Sequence, residues 1–523
     1  AAVALTSALA ATPAAAAATP PSTVSVWGAA DTGQLGDGVA ADALRPRLLR
    51  SLWSVTAVAL GERHTLALHG AGTVSAWGAG GAGQLGDGET ADRATPAQIP
   101  GLDDVGAVAA SATTSFALRA DGTVWSWGGG AVGELGRGAV GDTSAAPAAT
   151  AITDATAVSA GYQYALALRQ DGTVLAWGDN SYGQLGRGLG TVASSAIPTQ
   201  VPGLSGVVAV AAGGYTGYAL LADGTVKAWG YGGYGELGDG LHHDGSAAPE
   251  SVTAPVTVAA AGGGPLAGIR SLAGGTDHAV ALRTDGTVVS WGLSGEGVSR
   301  WAPVAQPGLS DVVEIGATTV ELARSADGSL WSWGGNWRGQ LGDGTTAARD
   351  LPQVVAGISA AALPSGPAAL HNAVVRTAVA PLAPTTLSFG EQPVGTLSAP
   401  QHVTLTNSGA PWTVRRTVPV GADADDFLVV DDGCAGATLT LLDSCTVAVR
   451  FAPSAGGPRS ATLTVRANAS QPLAVALAGS GGALPQGPPG APGAPGPHGA
   501  TGADGPAGSQ GPAGVGGPQG ATG

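Results

Sequence analysis

The chain contains no methionine and only two cysteines among its 523 residues. Without methionine it lacks an initiator residue, so we expect it to be cut or processed at its front. Charge is scarce as well: 11% of residues are charged, against a usual ~25%. Lys and Arg together number 22 against 37 Asp and Glu, a net charge of −15. Such a surface repels phosphate backbones and argues against nucleic acid as a partner. Beyond the alanine-rich opening, no run approaches the ~20 continuous apolar residues of a membrane-spanning helix. What is abundant is glycine, 88 residues, and a hydrophobic fraction of 44% that can build a packed core. Residues 1–20, AAVALTSALAATPAAAAATP, end their apolar run near Ala8-Leu9-Ala10, the small-x-small form of a signal-peptidase site. They read as the tail of an export signal followed by a spacer.

Repetition organises the first two thirds. Trp-Gly recurs with Trp at 27, 77, 127, 177, 229, 291 and 333. Asp-Gly-Thr-Val precedes four of these pairs, from Asp121, Asp171, Asp223 and Asp285; Gly-Gln/Glu-Leu-Gly follows at Gln34, Gln84, Glu134, Gln184, Glu236 and Gln340. Each unit holds short β-rich runs; in unit five they are Val207–Ala212, Tyr218–Leu221, Thr225–Trp229 and Ser251–Val258. Asp-Gly between two such runs is a hairpin signal, because glycine adopts φ > 0 at no steric cost. Four antiparallel strands per unit and seven units predict a β-propeller over 21–378. The first unit lacks its first two strands, and an orphan run, His371-Asn-Ala-Val-Val-Arg, stands after the last. Residues near 360–376 are therefore expected to complete the first blade beside the N-terminal strand, removing an open sheet edge.

These motifs resemble the RCC1-like repeat family, seven-bladed propellers named after the regulator of chromosome condensation. Unit six departs from the pattern: Gly292-Leu-Ser-Gly-Glu-Gly-Val-Ser-Arg-Trp has no Gln-Leu-Gly. The resemblance implies a propeller but does not choose among the many functions that propellers host.

From 384 the idiom changes to period-two strands such as His402-Val-Thr-Leu-Thr and Ala461-Thr-Leu-Thr-Val. About seven strands over 384–481 predict an immunoglobulin-like sandwich, which resembles the choice-of-anchor D and ASH-type domains. Phe389, Phe427 and Phe451 are expected in its core. Cys434 and Cys445 favour a disulfide in an exported chain; buried free thiols are the alternative. After a linker at 482–486, glycine holds every third place from 487 to 523, the register of a collagen triple helix. The fold class is therefore all-β: a seven-bladed propeller, an Ig-like sandwich and a collagen-like tail that demands three chains.

No motif for catalysis, phosphate binding or a dinucleotide appears, and no metal or cofactor is called for. His64, His278 and His371 share one repeat position filled elsewhere by Thr114, Tyr164, Thr216 and Val320, which reads as packing or inter-blade hydrogen bonding. His242-His243 reads as surface loop. Asp37, Asp87, Asp239 and Asp343 recur in Leu-Gly-Asp-Gly, one per blade, and form no acid–base pair. Asp423, Asp425, Asp426, Asp431 and Asp432 lack calcium-loop spacing and read as a solvated loop.

Aromatics give the stronger signal. Strand-one-to-two and strand-three-to-four loops leave a four-stranded blade on one face. Tyr162, Tyr182, Tyr215, Tyr231 and Tyr234 fall in such loops of units four and five, with Trp301 and Trp337 in the corresponding regions of units six and seven. They predict a protein- or glycan-binding sector across four blades; the alternative for Tyr182 and Tyr234 is packing beneath their Gln/Glu-Leu-Gly. The leading expectation is a secreted or cell-surface, non-enzymatic recognition protein, trimerised by its tail and gaining avidity thereby. A secreted enzyme inhibitor, as in the β-lactamase-inhibitor propeller of this family, and nucleotide exchange on a small GTPase, as in the family's namesake, are the other readings that the resemblance implies.

Overall fold

The structure is a computed structural model. It describes residues 22–188, 194–243, 250–376, 382–407, 412–440, 443–467, 473–483 and, of the tail, 493–500, 502–503, 505–509 and 511. The opening segment 1–20 and most of the 482–486 linker lie outside these residues. The described parts of the tail carry no strand or helix. Among the described residues, no helix is long and apolar enough to cross a membrane; the one helical element is the 3-10 turn Ala424–Asp426.

Five four-stranded antiparallel sheets of the first 305 residues are blades 2 to 6, opening at Val55, Val105, Ala155, Val207 and Ile269. A seven-stranded sheet joins two more. Blade 7 comprises Val312–Ala317, Val320–Ser325, Ser329–Gly334 and the first part of Arg349–Ala362. That last strand runs on into blade 1, where Ala360 and Ala362 pair with Arg376 and Val375. His371–Arg376 then pairs with Val24–Gly28, from Val24 opposite Val375 to Gly28 opposite His371, and Ala43–Leu49 completes the blade. Five blades and two thus make seven, closed by the expected clasp. In unit five, the strands are Val207–Ala212, Thr216–Leu221, Val226–Tyr231 and Ser251–Thr257, each within two residues of the sequence reading.

The hydrophobic core lies between blades. Leu166, Val174 and Leu185 of blade 4 pack with Val207, Val210 and Trp229 of blade 5, and the same pattern joins Leu66, Val74 and Leu85 to Val105, Val108 and Trp127. The repeated tryptophans are all fully buried, each worth ~3 kcal/mol or more against truncation. Their indole N–H groups explain why Trp-Gly and Gln/Glu-Leu-Gly travel together. Trp77 Nε1 donates to the carbonyl of Gln34 in the preceding blade at 2.8 Å. Trp127, Trp177, Trp229 and Trp291 donate likewise to Gln84, Glu134, Gln184 and Glu236, and Trp27 closes the circle on Gln340 at 2.7 Å. The motif's final glycine permits the approach: Gly36 has φ +72°, and a Cβ there would lie 2.6 Å from Trp77 Nε1. Blade 6 has no such carbonyl to offer, so Trp333 Nε1 is left without an acceptor of good geometry. The buried Glu321 stands opposite it in the strand register.

From Leu382 to Gly482 a four-stranded and a five-stranded sheet share one core around Val403, Val447, Leu463 and Val475. Phe427 and Phe451 are buried in it with ring centroids 5.0 Å apart, and Phe389 packs on both. Cys434 and Cys445 are disulfide-bonded. Asp425 and Asp431 are exposed as the sequence reading of a solvated loop expects, but the other three members of the run correct it: Asp426 is 2% exposed, bonded to Arg459 Nε and Ser454 N. Asp423 also meets Arg459, at 3.0 Å, and Asp432 accepts from Thr417.

Candidate binding face

The shared histidine position is structural. His64, His278 and His371 each open the second strand of a blade and are buried. His64 Nε2 meets Ser115 Oγ of the next blade at 2.9 Å, and His371 Nε2 meets Thr65 Oγ1 at 2.6 Å. Tyr164, in the same place, donates its hydroxyl to the carbonyls of Gly213 and Thr216 at 3.1 and 2.8 Å. Burial holds the imidazoles of His64 and His371 down at about 3, so they are neutral bridges. The Leu-Gly-Asp-Gly aspartates are likewise absorbed within their own blades: Asp37 pairs with Arg47, Asp87 with Arg93, and Asp343 with Arg349. Asp239 bonds His243 at 2.9 Å.

The tyrosines are brought together. Main-chain hydrogen bonds run round one end of the ring through the strand-one-to-two loops. Tyr162 N donates to Gly214 O at 2.9 Å, Gly214 N to Thr276 O at 3.1 Å, and Thr276 N to Thr318 O at 2.9 Å. The longer loop of blade 1 folds over the same end, where Ser365 bridges Ala59 and the Pro367 carbonyl accepts from Thr276 Oγ1 at 2.5 Å. In the strand-three-to-four loops, the motif's Gln or Glu reaches back to the backbone two residues earlier. Gln184 Oε1 accepts from Tyr182 N at 2.8 Å, and Glu236 Oε2 from Tyr234 N at 2.9 Å. This clamp presents Tyr182 and Tyr234 outward, 39% and 43% exposed, and not packed beneath their motifs.

A continuous chain of ring contacts results. Tyr162 meets Tyr215 at 5.1 Å, Tyr215 meets Tyr182 at 5.1 Å, Tyr182 meets Tyr231 at 5.0 Å, and Tyr231 meets Tyr234 at 5.9 Å. Burial pushes the hydroxyls of Tyr162 and Tyr231 up to about 12, helped by the carboxylates of Asp277 and Glu236 respectively. Burial also raises Tyr215. All three therefore keep their protons at neutral pH and remain hydrogen-bond donors.

The two tryptophans fit the sector less well. Trp301 lies inside the strand Ser299–Ala305, half-buried, and stacks on His242 at 4.5 Å. The reading of His242-His243 as plain surface loop holds for the exposed His242 and is corrected for His243, which is 2% exposed and bonded to Asp239. Trp337 is 57% exposed and makes no aromatic ring contact among the described residues. The contiguous patch is thus the five tyrosines of blades 4 and 5. Asp277 was missed in the sequence, although it holds in blade 6 the loop position of Tyr215 in blade 5.

Comparisons agree with this architecture. The RCC1-like domain matches residues 5–267, and regulator of chromosome condensation (RCC1) repeats match 269–298 and 327–362. The unmatched interval spans the irregular junction of blades 6 and 7. Protein pim1 of Schizosaccharomyces pombe is 26% identical over 163 residues, which cover 27% of this chain and 29% of that protein. The chain therefore spans under a third of that relative's length. Human WBSCR16 shares the fold with a TM-score of 0.60 at 23% identity, covering 69% of this chain and 100% of the other. Prp20p of Saccharomyces cerevisiae, whose structure was described with its binding properties to Gsp1p and histones, has a TM-score of 0.59 at 23% identity. That match covers 70% of this chain and 93% of Prp20p. By its domain match and its interlocked Trp-Gly and Gln-Leu-Gly motifs, the chain belongs to the RCC1-like domain family.

Proposed function

We propose that the chain is a non-enzymatic recognition protein that acts outside the cell and binds a protein or glycan ligand through the tyrosine face of its propeller. The observation that carries this reading is the unbroken chain of contacts among Tyr162, Tyr215, Tyr182, Tyr231 and Tyr234. Amphipathic rings held by a rigid scaffold supply contact area at low entropic cost, and Tyr is enriched where interfaces concentrate their energy. In this reading the domain at 384–481 is an Ig-like spacer of the choice-of-anchor D or ASH kind. The Gly-X-Y tail at 487–523 gathers three heads, as its unbroken glycine phase supports. Protein and glycan arrays probed with the full chain test the binding face. Hits should be lost when Tyr215 and Tyr231 are changed together to Ala, with the β-sheet circular dichroism unchanged; hits equally strong with that variant would reject it.

Family membership favours a second reading, regulation of a small GTPase by nucleotide exchange. It predicts faster nucleotide release from a Ran-like GTPase on addition of the chain, and an unchanged release rate rejects it. Inhibition of an enzyme through the same tyrosines predicts Tyr215-dependent loss of β-lactamase activity.

A further inference from the structure

The loop of blade 6 that borders the tyrosines carries a carboxylate in an unusual state. Asp277 follows Thr276, whose carbonyl accepts from Gly214 N, directly beside Tyr215. Its side chain is half-buried, and it makes no hydrogen bond or ion pair among the described residues, in contrast to most other aspartates of the propeller. Burial alone raises its proton affinity, and no guanidinium offsets the cost. A second carboxylate, Glu62, stands in the corresponding loop of blade 2 one place before the position equivalent to Asp277, which Arg63 fills, and also acts electrostatically on Tyr162 and Tyr215; Arg63 touches it at 3.4 Å but is shared with Asp31. The side chains other than tyrosines that bear electrostatically on Tyr162, Tyr215 and Tyr231 are all carboxyls: Asp277, Glu62, Asp179, Glu250 and Glu236, the last pushed up to about 8 by burial.

A partly desolvated, unpaired carboxylate costs stability unless something compensates it. Aromatic faces attract cations through their quadrupole, most strongly where water is thinned. Both features ask for the same ligand chemistry at one place. We propose that the rings of Tyr162 and Tyr215 together with the carboxylate of Asp277 form a receptor for a cationic side chain, an arginine or lysine presented by a basic segment of a protein partner. This rests on the tyrosine face being the binding face and adds the chemistry of what it takes. A basic segment matches the acidic surround, and a guanidinium can lie on a tyrosine ring while donating to a carboxylate.

The experiment uses the full chain and fluorescein-labelled tetra-arginine, with tetra-glutamate and tetra-alanine as controls, read by fluorescence anisotropy at low salt. Tetra-arginine should bind and the controls should not. Asp277→Asn should weaken it about tenfold. Tyr215→Ala should weaken it as well, whereas Tyr215→Phe, which keeps the ring, should not. Asp103→Asn, which removes the same charge from an exposed site at the Asp-Gly-turn end of blade 3, should leave it unchanged. Equal losses from Asp103→Asn and Asp277→Asn would overturn the proposal by reducing it to general attraction toward an acidic protein, and so would an Asp277→Asn protein that binds as the parent does. If array ligands still require Tyr215 but are indifferent to Asp277, this inference falls and the binding face stands. If neither peptides nor array ligands respond to Tyr215, both fall.

Discussion

At the scale of single residues, the tryptophans carry two separable jobs: filling the space between blades, and hydrogen bonding to the preceding blade. Trp127 does both, with Nε1 at 2.9 Å from the Gln84 carbonyl, whereas Trp333 makes no such bond to the preceding blade and faces the buried Glu321 of its own blade. Trp127→Phe should therefore cost about 1 kcal/mol more than Trp333→Phe, the net worth of one buried hydrogen bond, in urea unfolding followed by fluorescence. Equal costs would show that the inter-blade bonds contribute nothing measurable. Buried acids and histidines set opposing pH responses. Burial pushes Glu321 up to about 8 from an ordinary 4.5, so its contribution is complete below 4.5 and lost as pH climbs through 8. His64 and His371, held down at about 3 from an ordinary 6.5, contribute fully above 6.5 and lose that contribution as pH falls toward 3. Melting temperature should accordingly drop less for Glu321→Gln than for the parent between about pH 6 and 9; parallel curves would contradict the burial argument. The His position was legible as structural because Val320 and Tyr164 share it. Asp277 was not, because its meaning depends on which side chains the neighbouring loops bring beside it.

At the scale of elements, the blade strands were readable from the Asp-Gly turns and the Trp-Gly ends, since each unit repeats its turn chemistry. The clasp was readable too, because the orphan His371-Asn-Ala-Val-Val-Arg has the pattern of a second strand with no blade of its own. The tyrosine contacts were only half legible. Loop membership put the five rings on one face, but Tyr182 meets Tyr215 by leaving the third strand of blade 4 and reaching a loop of blade 5. That adjacency belongs to blade packing and has no local sequence signature. Trp301 escaped in the other direction, because the shortened unit six starts its outer strand at Ser299 and draws the ring into it. In the second domain, the bond between Cys434 and Cys445 closes a short loop beside the core. Changing both to Ala should lower that domain's unfolding free energy by about 2–3 kcal/mol, measured in denaturant with the propeller's transition as internal reference; an unmoved transition would show that the loop is already ordered without it.

At the scale of the whole molecule, the proposed gathering of three heads by the glycine-phased tail would turn a ring with one tyrosine-lined face into a multivalent device. A full-length chain should sediment as a trimer and revert to monomer on mild heating that leaves the propeller's circular dichroism intact; a persistent monomer would remove the avidity argument while leaving the face untouched. The face itself is the central claim. Its most direct test takes a ligand from the array and compares its affinity for the parent, for Tyr215→Ala with Tyr231→Ala, and for Asp171→Asn with Asp223→Asn on the opposite side of the same blades. The account predicts at least a tenfold loss for the tyrosine pair and none for the aspartate pair; parent-like affinity with the tyrosines gone, or a loss confined to the aspartate pair, would contradict it.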